Sequence, residues 1–384
     1  MRRVHPVFHY GETVDDYSVV RPLFLAESVQ VYEVLNTHLQ RTECLKLLTP
    51  RHPLDVSSQW DEARRASQTG HPGIVPVYRT GVVRSPTTSV NCPWFTMAYG
   101  EYGDLYRLKD FMDESGWDPV RQRDTFLTLL TQVAGTLDGL HRLDRPVVHG
   151  DIKPGNIVVS GHRSGQLRAL ISDFGLNMAG EGHRSMGGTP AYMAPECFEE
   201  SAAHPTRDRY AFAVMVFEML CGRRPLEVGT DSAHSWEIYT AYADIQKHAP
   251  RPRFSDYYPG AGARSVDELF RRALSVNPAE RPESCTAFIT DIGDALTGAR
   301  RRRRAKKAVV AGAAALIVVG GGAALATGSH PRARFTCRAH APARMSWRAS
   351  TLLRRAPDSM RSKPLMSRPR RTRTWMFTRA VPSR

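Results

Sequence analysis

The hydrophobic pattern changes once along the chain, and this change constrains the fold more than any other feature. Between residues 17 and 100, short apolar and β-branched runs alternate with polar turns, as in YSVVRPLFL, VQVYEVLN and ECLKLL, which predicts strands. One segment there, SSQWDEARRASQTG, has a helical pattern that Ser57 or Ser58 caps and Gly70 ends. From about residue 118 apolar residues recur at three and four positions, which predicts helices. The sequence therefore predicts an α+β fold with a small β-rich lobe, a larger helical lobe and a cleft between them.

The positive charge of the chain is concentrated at its C-terminal end. The sequence holds 53 Lys and Arg against 38 Asp and Glu, which gives a net charge of +15. Of the basic residues, 22 follow residue 298, and a single acidic residue, Asp358, accompanies them. The first 298 residues are therefore mildly acidic, which disfavours a globular domain that binds a specific nucleic acid.

The cysteines and the N-terminus indicate the compartment of the main domain. Six cysteines are scattered without a CxxC pair, at positions 44, 92, 197, 221, 285 and 337. This spacing argues against a zinc site or a disulfide framework and indicates a reducing compartment. The first 18 residues lack the apolar core of a signal peptide, which argues against a cleaved one. Residues 1–16 are expected to form an N-terminal extension.

A charge-free run of 20 residues, AVVAGAAALIVVGGGAALAT at 308–327, is long enough to cross a membrane as one helix. Its Ala and Gly content also fits a buried or flexible linker. The basic block RRRRRAKK before it would, taken alone, suit a nuclear signal or a solvated charge run. Beside an apolar run it indicates a basic juxtamembrane segment, residues 299–307, and a single-pass protein of the cell membrane with residues 1–307 in the cytoplasm. The far side is also arginine-rich, which weakens this orientation: Arg332, Arg334, Arg338 and Arg344.

Residues 328–384 are rich in Arg, Pro, Ser and Ala and show no periodicity. Such a composition cannot bury enough apolar surface to offset chain entropy, so we expect an Arg-rich disordered tail. The bias also resembles the out-of-frame translation of a GC-rich gene. Sequencing of the genomic locus would contradict that hypothesis if no frameshift restored a sensible downstream domain.

Several polar segments follow one another in an order that suits phosphoryl transfer. This chemistry needs a cation for the phosphates, ligands for metal ions and a group that orients the incoming hydroxyl. ECLKLL places Lys46 inside an apolar strand, where a lone ammonium is costly unless paired, and Glu62 on the following helix is a candidate partner. HGDIKPGN, ISDFGL, GGTPAYMAPE and NPAERP supply the remaining groups: Asp151, Lys153, Asn156, Asp173, Glu196 and Arg281.

This ordered series resembles the eukaryotic-like serine/threonine protein kinases, particularly the bacterial, membrane-anchored kind. The resemblance covers about residues 17–296. Any one element is weak alone, because a DFG tripeptide arises by chance and an isolated Lys or Asp is usually a surface residue. The resemblance implies a two-lobed kinase domain at residues 17–298, with an N-lobe at about 17–99 and a C-lobe at about 100–298, followed by a single transmembrane helix.

The resemblance implies roles for residues of the N-lobe and the segment that joins the lobes. Lys46 would bind the α- and β-phosphates of ATP and pair with Glu62, with Asp61 as the other candidate. In WFTMAYGEYGDL, Met97 would be the gatekeeper and residues 98–100, Tyr99 among them, would contact adenine. These last residues also fit a plain strand end.

The C-lobe would supply the catalytic residues. Asp151 would accept or orient the proton of the substrate hydroxyl, and Lys153 would neutralise the γ-phosphate, as is typical of Ser/Thr rather than Tyr specificity. Asn156 and Asp173 would hold the metal ions, which are normally magnesium, with manganese as the second candidate.

Four further residues would support the site. Thr189, in GGTPAYMAPE, matches the threonine that braces the catalytic loop and shapes the substrate site; it also fits a plain turn residue. Glu196 would pair with Arg281. Asp208, in RDRYAFAVMVFEML, matches a buried aspartate that holds the catalytic-loop backbone, which is a structural role.

The chain departs from the family in the loop that covers the ATP phosphates, GxGxxGxV. Alignment on Val31 and Tyr32 puts Phe24, Ala26 and Val29 at the three glycine positions. Backbone amides approach phosphate closely only where little Cβ bulk intervenes and unusual dihedrals are accessible. Ala26 and Val31 are still expected to contact the nucleotide, but with weaker ATP binding or a different loop conformation.

A second departure is Gly150, where many family members have an arginine that pairs with a phosphorylated activation-loop residue. The segment between Asp173 and Glu196 is short, and Ser185 is its clearest free hydroxyl. We therefore expect weak or no activation by phosphorylation of this loop.

The expected function is that of a non-specific serine/threonine protein kinase that uses ATP to phosphorylate protein hydroxyls in membrane-linked signalling. The rival is a pseudokinase scaffold with weak or no ATP turnover, motivated by the glycine-free loop; retention of the charged series argues against it. A third hypothesis is a basic tail that binds anionic lipid or nucleic acid. A fourth is a small-molecule kinase, against which GGTPAYMAPE speaks. Whether the chain forms a homodimer stays open.

Overall fold

The structure, a computed structural model, describes residues 4–49, 61–84, 90–161, 166–173, 189–199, 203–229 and 235–298. The basic segment 299–307, the predicted membrane helix at 308–327, the tail at 328–384 and Ser185 lie outside the described residues. Within the described ranges, no helix is both long and apolar enough to cross a membrane.

The N-lobe is built on a six-stranded antiparallel sheet. Its strands are β1 (Thr13–Val14), β2 (Tyr17–Leu25), β3 (Val29–Asn36), β4 (Arg41–Leu48), β5 (Val77–Arg84) and β6 (Asn91–Ala98). They lie in the order β1-β2-β3-β4-β6-β5. Two of the predicted apolar runs, YSVVRPLFL and VQVYEVLN, coincide with β2 and β3, and ECLKLL lies inside β4. The strand predictions for this lobe are therefore confirmed.

The outer face of this sheet is covered by the residues that precede β2. Phe8 is 5% exposed and packs edge-on against Tyr32 with ring centroids 5.5 Å apart. The backbone of the same segment is held by Gln30, whose Oε1 accepts from Val7 N at 2.8 Å and whose Nε2 donates to His5 O at 2.9 Å. Phe8 and Val14, from the stretch that the sequence analysis expected to be an extension before the domain, are thus part of the N-lobe core.

The short segment that follows helix α1 (Asp61–Thr69) packs the N-lobe against the C-lobe. The helix ends at Gly70, as predicted, and its predicted caps lie outside the described residues. Ile74 belongs to the C-lobe core and bridges to Ile171, and Val75 N donates to Ile171 O at 3.0 Å. The end of α1 is therefore fixed to the strand that precedes Asp173.

The C-lobe is helical with one small sheet. Its helices are α2 (Leu105–Glu114), α3 (Pro119–His141), α4 (Pro205–Cys221), α5 (Ser235–His248), α6 (Ala263–Ala273) and α7 (Cys285–Leu296). Strands β7 (Ile157–Gly161) and β8 (Leu167–Ile171) form an antiparallel pair. The predicted helical pattern at TFLTLLTQVAGTLDGLHRL lies within α3 up to His141. RYAFAVMVFEMLCG, apolar nearly all round, lies within α4 up to Cys221, and its residues 210–217 are all buried.

A buried aspartate joins two helices of the C-lobe core. Asp138 of α3 is 4% exposed and accepts from Ser284 Oγ at 2.7 Å, Cys285 N at 2.9 Å and Thr286 N at 2.9 Å. Burial opposes ionisation, yet the bonds from Thr286 and Ser284 prevail and lower the pKa of Asp138. The N-terminus of α7 is thereby capped by a side chain from another helix.

Candidate active site

The wall of the cleft between the lobes is lined by one apolar cluster, which we call the cleft cluster. Its buried members are Cys44, Val75, Phe95, Met97 and Leu170, and its partly buried members are Leu23, Val31, Leu48, Val77, Ala98, Tyr99 and Val158. The structure thus brings together the predicted Val31, Met97 and Tyr99. Sequence reasoning missed Cys44 and Val158; Cys44 stands two residues before Lys46, on the same face of β4. Burial raises the pKa of the Cys44 thiol to about 12, so it contributes as an apolar side chain.

At the inner end of the cleft Lys46 forms an ion pair with Asp173. Lys46 Nζ lies 2.6 Å from Asp173 Oδ1, and Lys46 is 8% exposed. Asp173 follows β8 with a φ of 62°, a conformation that few residues other than glycine, asparagine and aspartate adopt and that is concentrated at functional sites. Glu62 lies in α1, but its side chain is outside the described part of the chain, so its pairing with Lys46 stays a prediction.

The Asp151 carboxylate accepts four hydrogen bonds from three residues. Oδ1 accepts from Thr189 N and Thr189 Oγ1, both at 3.0 Å. Oδ2 accepts from Lys153 Nζ at 2.6 Å and Asn156 Nδ2 at 3.1 Å. Lys153 Nζ also donates to Thr189 Oγ1 at 2.8 Å, so the four predicted residues form one network.

Asn156 is oriented so that its oxygen is available to a cation. Its Nδ2 donates to Asp151 O at 2.8 Å, which assigns the amide orientation. Among the described residues its Oδ1 has no hydrogen-bond donor, although the side chain is 3% exposed. Ser172 N, directly before Asp173, donates to Asn156 O at 2.9 Å. An amide oxygen and a nearby carboxylate fit Mg²⁺, which takes one or two protein ligands together with substrate phosphates.

His149 connects the two halves of this network, and sequence reasoning assigned it no role. Its Nδ1 accepts from Asp151 N at 3.2 Å, and its Nε2 lies 2.8 Å from Ser172 O. Because a carbonyl only accepts, Nε2 is the nitrogen that donates to Ser172 O, and Nδ1 is the acceptor. The residue stands at the start of HGDIKPGN, and its position two residues before Asp151 was the available signal.

Asp208 of α4 holds the backbone of the catalytic loop, as its match to the family implied. It is fully buried and accepts from His149 N and Gly150 N, each at 2.8 Å, while His141 Nε2 lies 2.8 Å away. Burial opposes ionisation, but the bond from His141 and the positive ends of these donors lower the pKa of Asp208. Gly150 has a φ of 79°, so the turn uses a conformation that glycine adopts without strain.

The predicted pair of Glu196 and Arg281 is present and bidentate. Arg281 Nη1 and Nη2 lie 2.6 Å and 2.7 Å from the two carboxylate oxygens, and Arg281 is 3% exposed. Arg281 also donates to Thr206 O at 3.1 Å at the start of α4. The segment after Thr189 is thereby fixed to the core of the C-lobe.

The turn between β2 and β3 replaces the glycine loop, and Ala26 lies in it rather than in the cleft cluster. Ala26 N donates to Val29 O at 2.9 Å, which closes a four-residue turn. No residue from 26 to 29 in this described segment has a positive φ. The turn therefore has a conformation that does not require glycine.

The sequence matches a known family model and several curated proteins. The sequence model described as "Protein kinase domain" matches residues 26–291. The serine/threonine-protein kinase PknJ of Mycobacterium tuberculosis is 29% identical over 301 residues, which cover 75% of this chain and 46% of PknJ. PknF of the same organism is 26% identical over 302 residues, covering 75% of this chain and 58% of PknF. The chain spans about half the length of the curated relatives it matches.

A solved structure shares the fold. The crystal structure of the kinase domain of M. tuberculosis PknI aligns with a TM-score of 0.52 and 24% identity, covering 76% of this chain and 99% of the PknI domain. The two lobes, the network around Asp151 and the sequence match over most of the chain point to the same conclusion. The chain belongs to the protein kinase family.

Proposed function

We propose that the protein is a serine/threonine kinase that transfers the γ-phosphate of ATP to hydroxyl groups of proteins. The observation that carries this proposal is the network of Asp151, Lys153, Asn156 and Thr189, which lies next to the pair of Lys46 and Asp173. This arrangement presents an acceptor for a hydroxyl proton, two ammonium groups for phosphates and oxygen ligands for a cation. The names of the relatives and Lys153 support Ser/Thr specificity.

Each side chain has a defined part in this reaction. The cleft cluster would hold the planar adenine between Val31 and Val158, and Lys46 would neutralise charge on the phosphates. Asn156 and Asp173 would hold magnesium, which would supply positive charge to the β- and γ-phosphates. Since Asp151 already accepts four bonds, a substrate hydroxyl takes the place of one donor, and Lys153, which also bonds Thr189, is the side chain able to turn toward phosphate.

The test is transfer of radiolabelled phosphate from ATP by the full chain with magnesium, using a general basic protein as substrate. The matched control is Asp151→Asn, which preserves the size of the side chain. We expect transfer by the native chain and none above background by the variant. Equal incorporation by both proteins would reject the assignment of Asp151.

A second candidate function is a pseudokinase scaffold, and the glycine-free turn at residues 26–29 is the observation that favours it. Such a protein would bind partners and perform little or no ATP turnover. Absence of transfer at millimolar ATP, with manganese as well as magnesium, would make this the better function. The three charged and polar residues around Asp151 support the active enzyme instead.

We further propose that residues 308–327 tether the kinase to the cell membrane, with residues 1–307 in the cytoplasm. The support is the 20-residue charge-free run and the basic block before it. Sedimentation of the full chain with membranes, and its release when the chain is cut after residue 298, would bear this out. A full chain that stays in the supernatant at high and low salt would reject it.

A further inference from the structure

The turn between β2 and β3 lies beyond the lysine that serves the phosphates. Val31 of β3 pairs with Lys46 of β4, and Val29 pairs with Leu48, so the two strands run side by side past the lysine. Residues 26–29 continue this hairpin by two to five residues. At about 3.3 Å per residue, the turn begins about 7 Å from the level of Lys46.

Thr49, the residue after β4, holds this turn with two hydrogen bonds. Its backbone N donates to Ser28 O at 3.0 Å, and its Oγ1 donates to Glu27 O. Both acceptors are the central residues of the turn, whose own closing bond runs from Ala26 N to Val29 O. The turn is thus attached to the strand that carries Lys46, three residues from the lysine itself.

The usual glycine loop and this turn would both place backbone amides near the phosphates, but they do so by different means. Glycines let backbone amides approach phosphate in conformations that other residues avoid, at the cost of chain entropy. Residues 26–29 have negative φ values and side chains that limit their freedom, so less entropy is lost when the turn is ordered. A turn without glycine cannot adjust its backbone to the phosphates, so its position must be correct beforehand. The two hydrogen bonds from Thr49 fix that position.

We propose that Thr49 is a positioning residue for nucleotide binding: it holds the β2–β3 turn over the phosphates in place of the missing glycines. This inference rests on the proposed function, because it concerns the same nucleotide site. Thr49 acts through the carbonyls of Glu27 and Ser28 and does not touch the nucleotide. Its loss therefore weakens binding and leaves the chemistry at Asp151 intact.

The test compares Thr49→Val, which removes only the hydroxyl, with Thr49→Ser, which keeps it. Thr37→Val is the matched control, because Thr37 follows β3 as Thr49 follows β4 and also donates to a carbonyl with both N and Oγ1, that of Asp16 at 2.9 Å. Calorimetric binding of magnesium-ADP to the full chain gives Kd, and steady-state phosphorylation gives KM for ATP and kcat.

For Thr49→Val we expect Kd for magnesium-ADP and KM for ATP to rise about fivefold, the factor that one ordinary hydrogen bond is worth. The value of kcat should stay within about twofold of the native chain, since no group at Asp151 changes. Thr49→Ser should restore native binding, and Thr37→Val should bind ADP as the native chain does.

Four results would overturn the inference. Native affinity in Thr49→Val, or an equal loss in Thr37→Val, would show that the hydroxyl of Thr49 has no specific part in binding. A fall in kcat with unchanged KM would place its effect on the chemistry. A native chain that binds no ADP at all would reject the proposed function together with this inference, whereas native ADP binding that Thr49→Val leaves unchanged would reject this inference alone.

Discussion

The two sides of the cleft are held in different ways. On the C-lobe side, charged groups fix the backbone: Asp208 binds two amides of the catalytic loop, Asp151 accepts four bonds, and Arg281 clamps Glu196. On the N-lobe side, the turn at residues 26–29 is held by backbone carbonyls and one threonine hydroxyl, and the cleft wall is apolar. The ion pair of Lys46 with Asp173 links the two sides.

This difference separates the C-lobe segments, whose positions are fixed, from the N-lobe turn, whose sequence and conformation can change. Charge-assisted bonds in a buried setting are costly to break, so the loop backbone that Asp208 holds and the segment that Arg281 holds each have one arrangement. Ordinary hydrogen bonds to carbonyls are worth less each, so the N-lobe can change its loop without losing the fold. A kinase can therefore lose all three loop glycines and keep its catalytic groups in place.

The largest effect is expected from the C-lobe side at Asp151. In Asp151→Asn the side chain can no longer accept a proton, and we expect kcat to fall about a thousandfold with KM for ATP nearly unchanged. Asp256→Asn, an exposed aspartate in the same lobe, is the control and should keep native kcat. A rise in KM for ATP as large as the fall in kcat would contradict the assignment of chemistry to the C-lobe side and of ATP binding to the N-lobe side.

The next effect concerns stability of the C-lobe. Asp208→Asn replaces a buried acceptor by an amide that cannot accept from His141 and two backbone amides at once. We expect the free energy of unfolding in urea to fall by about 3 kcal/mol. Asp244→Asn, whose carboxylate is exposed and faces His248, should change it by less than about 0.5 kcal/mol. Similar losses in both variants would show that burial of the carboxylate is not decisive.

The stability of the N-lobe depends on close packing within its sheet rather than on buried charges. Gly81 of β5 lies opposite Trp94, and a Cβ at this position would come 2.3 Å from Trp94 Cζ2. Since Trp94 is fully buried, Gly81→Ala should lower the free energy of unfolding by about 2 kcal/mol. Gly135→Ala, in α3 with open space around the new methyl group, should raise it slightly. Unchanged stability of Gly81→Ala would contradict the packing of this sheet.

Acid should weaken the C-lobe through its buried aspartates. The pKa values of Asp138 and Asp208 are lowered by folding, so both bind protons more weakly in the folded chain than in the unfolded chain. Their stabilisation is complete above the unfolded pKa of about 4 and is lost as pH falls through the folded values. We expect the free energy of unfolding to fall by about 2 kcal/mol between pH 5 and pH 3, and this pH dependence to be weaker in Asp138→Asn. An equal pH dependence in the variant would contradict the role of Asp138.

The smallest effect is expected from loop phosphorylation. The resemblance puts Gly150 where many members of the family have an arginine that would pair with a phosphate, and its φ of 79° suits glycine. Activity of Ser185→Ala should therefore stay close to that of the native chain in the phosphorylation assay. A loss of more than about tenfold would contradict this expectation and indicate another partner for the phosphate.

The sequence predicted most of the fold and most of the network at the site. The strands and long helices were recognisable because burial imposes periods of two and of three to four residues. Asp151, Asn156 and Asp173 were recognisable because the ordered series HGDIKPGN, ISDFGL and GGTPAYMAPE resembles that of a known family.

Other residues of the site and of the core belong to no periodic pattern or motif that the sequence shows. The side chains of His149 and Thr49 bond to backbone atoms that only the fold brings near, and Phe8 precedes the first strand by a polar stretch that hides its packing on Tyr32. Cys44 was visible only as a position on β4, because a small apolar side chain in a strand has no functional signature. Contacts between distant segments thus account for what sequence alone left out.

The packing of the first residues on the sheet affects how the protein should be prepared for experiments. The family match begins at residue 26, inside the turn after β2, so a recombinant fragment cut there would lose β1 and β2 together. A fragment that began at residue 17 would keep β2 but expose Tyr32 and the side chain of Gln30, which Phe8 and Val7 cover. Such preparations would tend to aggregate through this uncovered face. An N-terminal affinity tag should precede residue 4 and leave residues 5–8 free to dock.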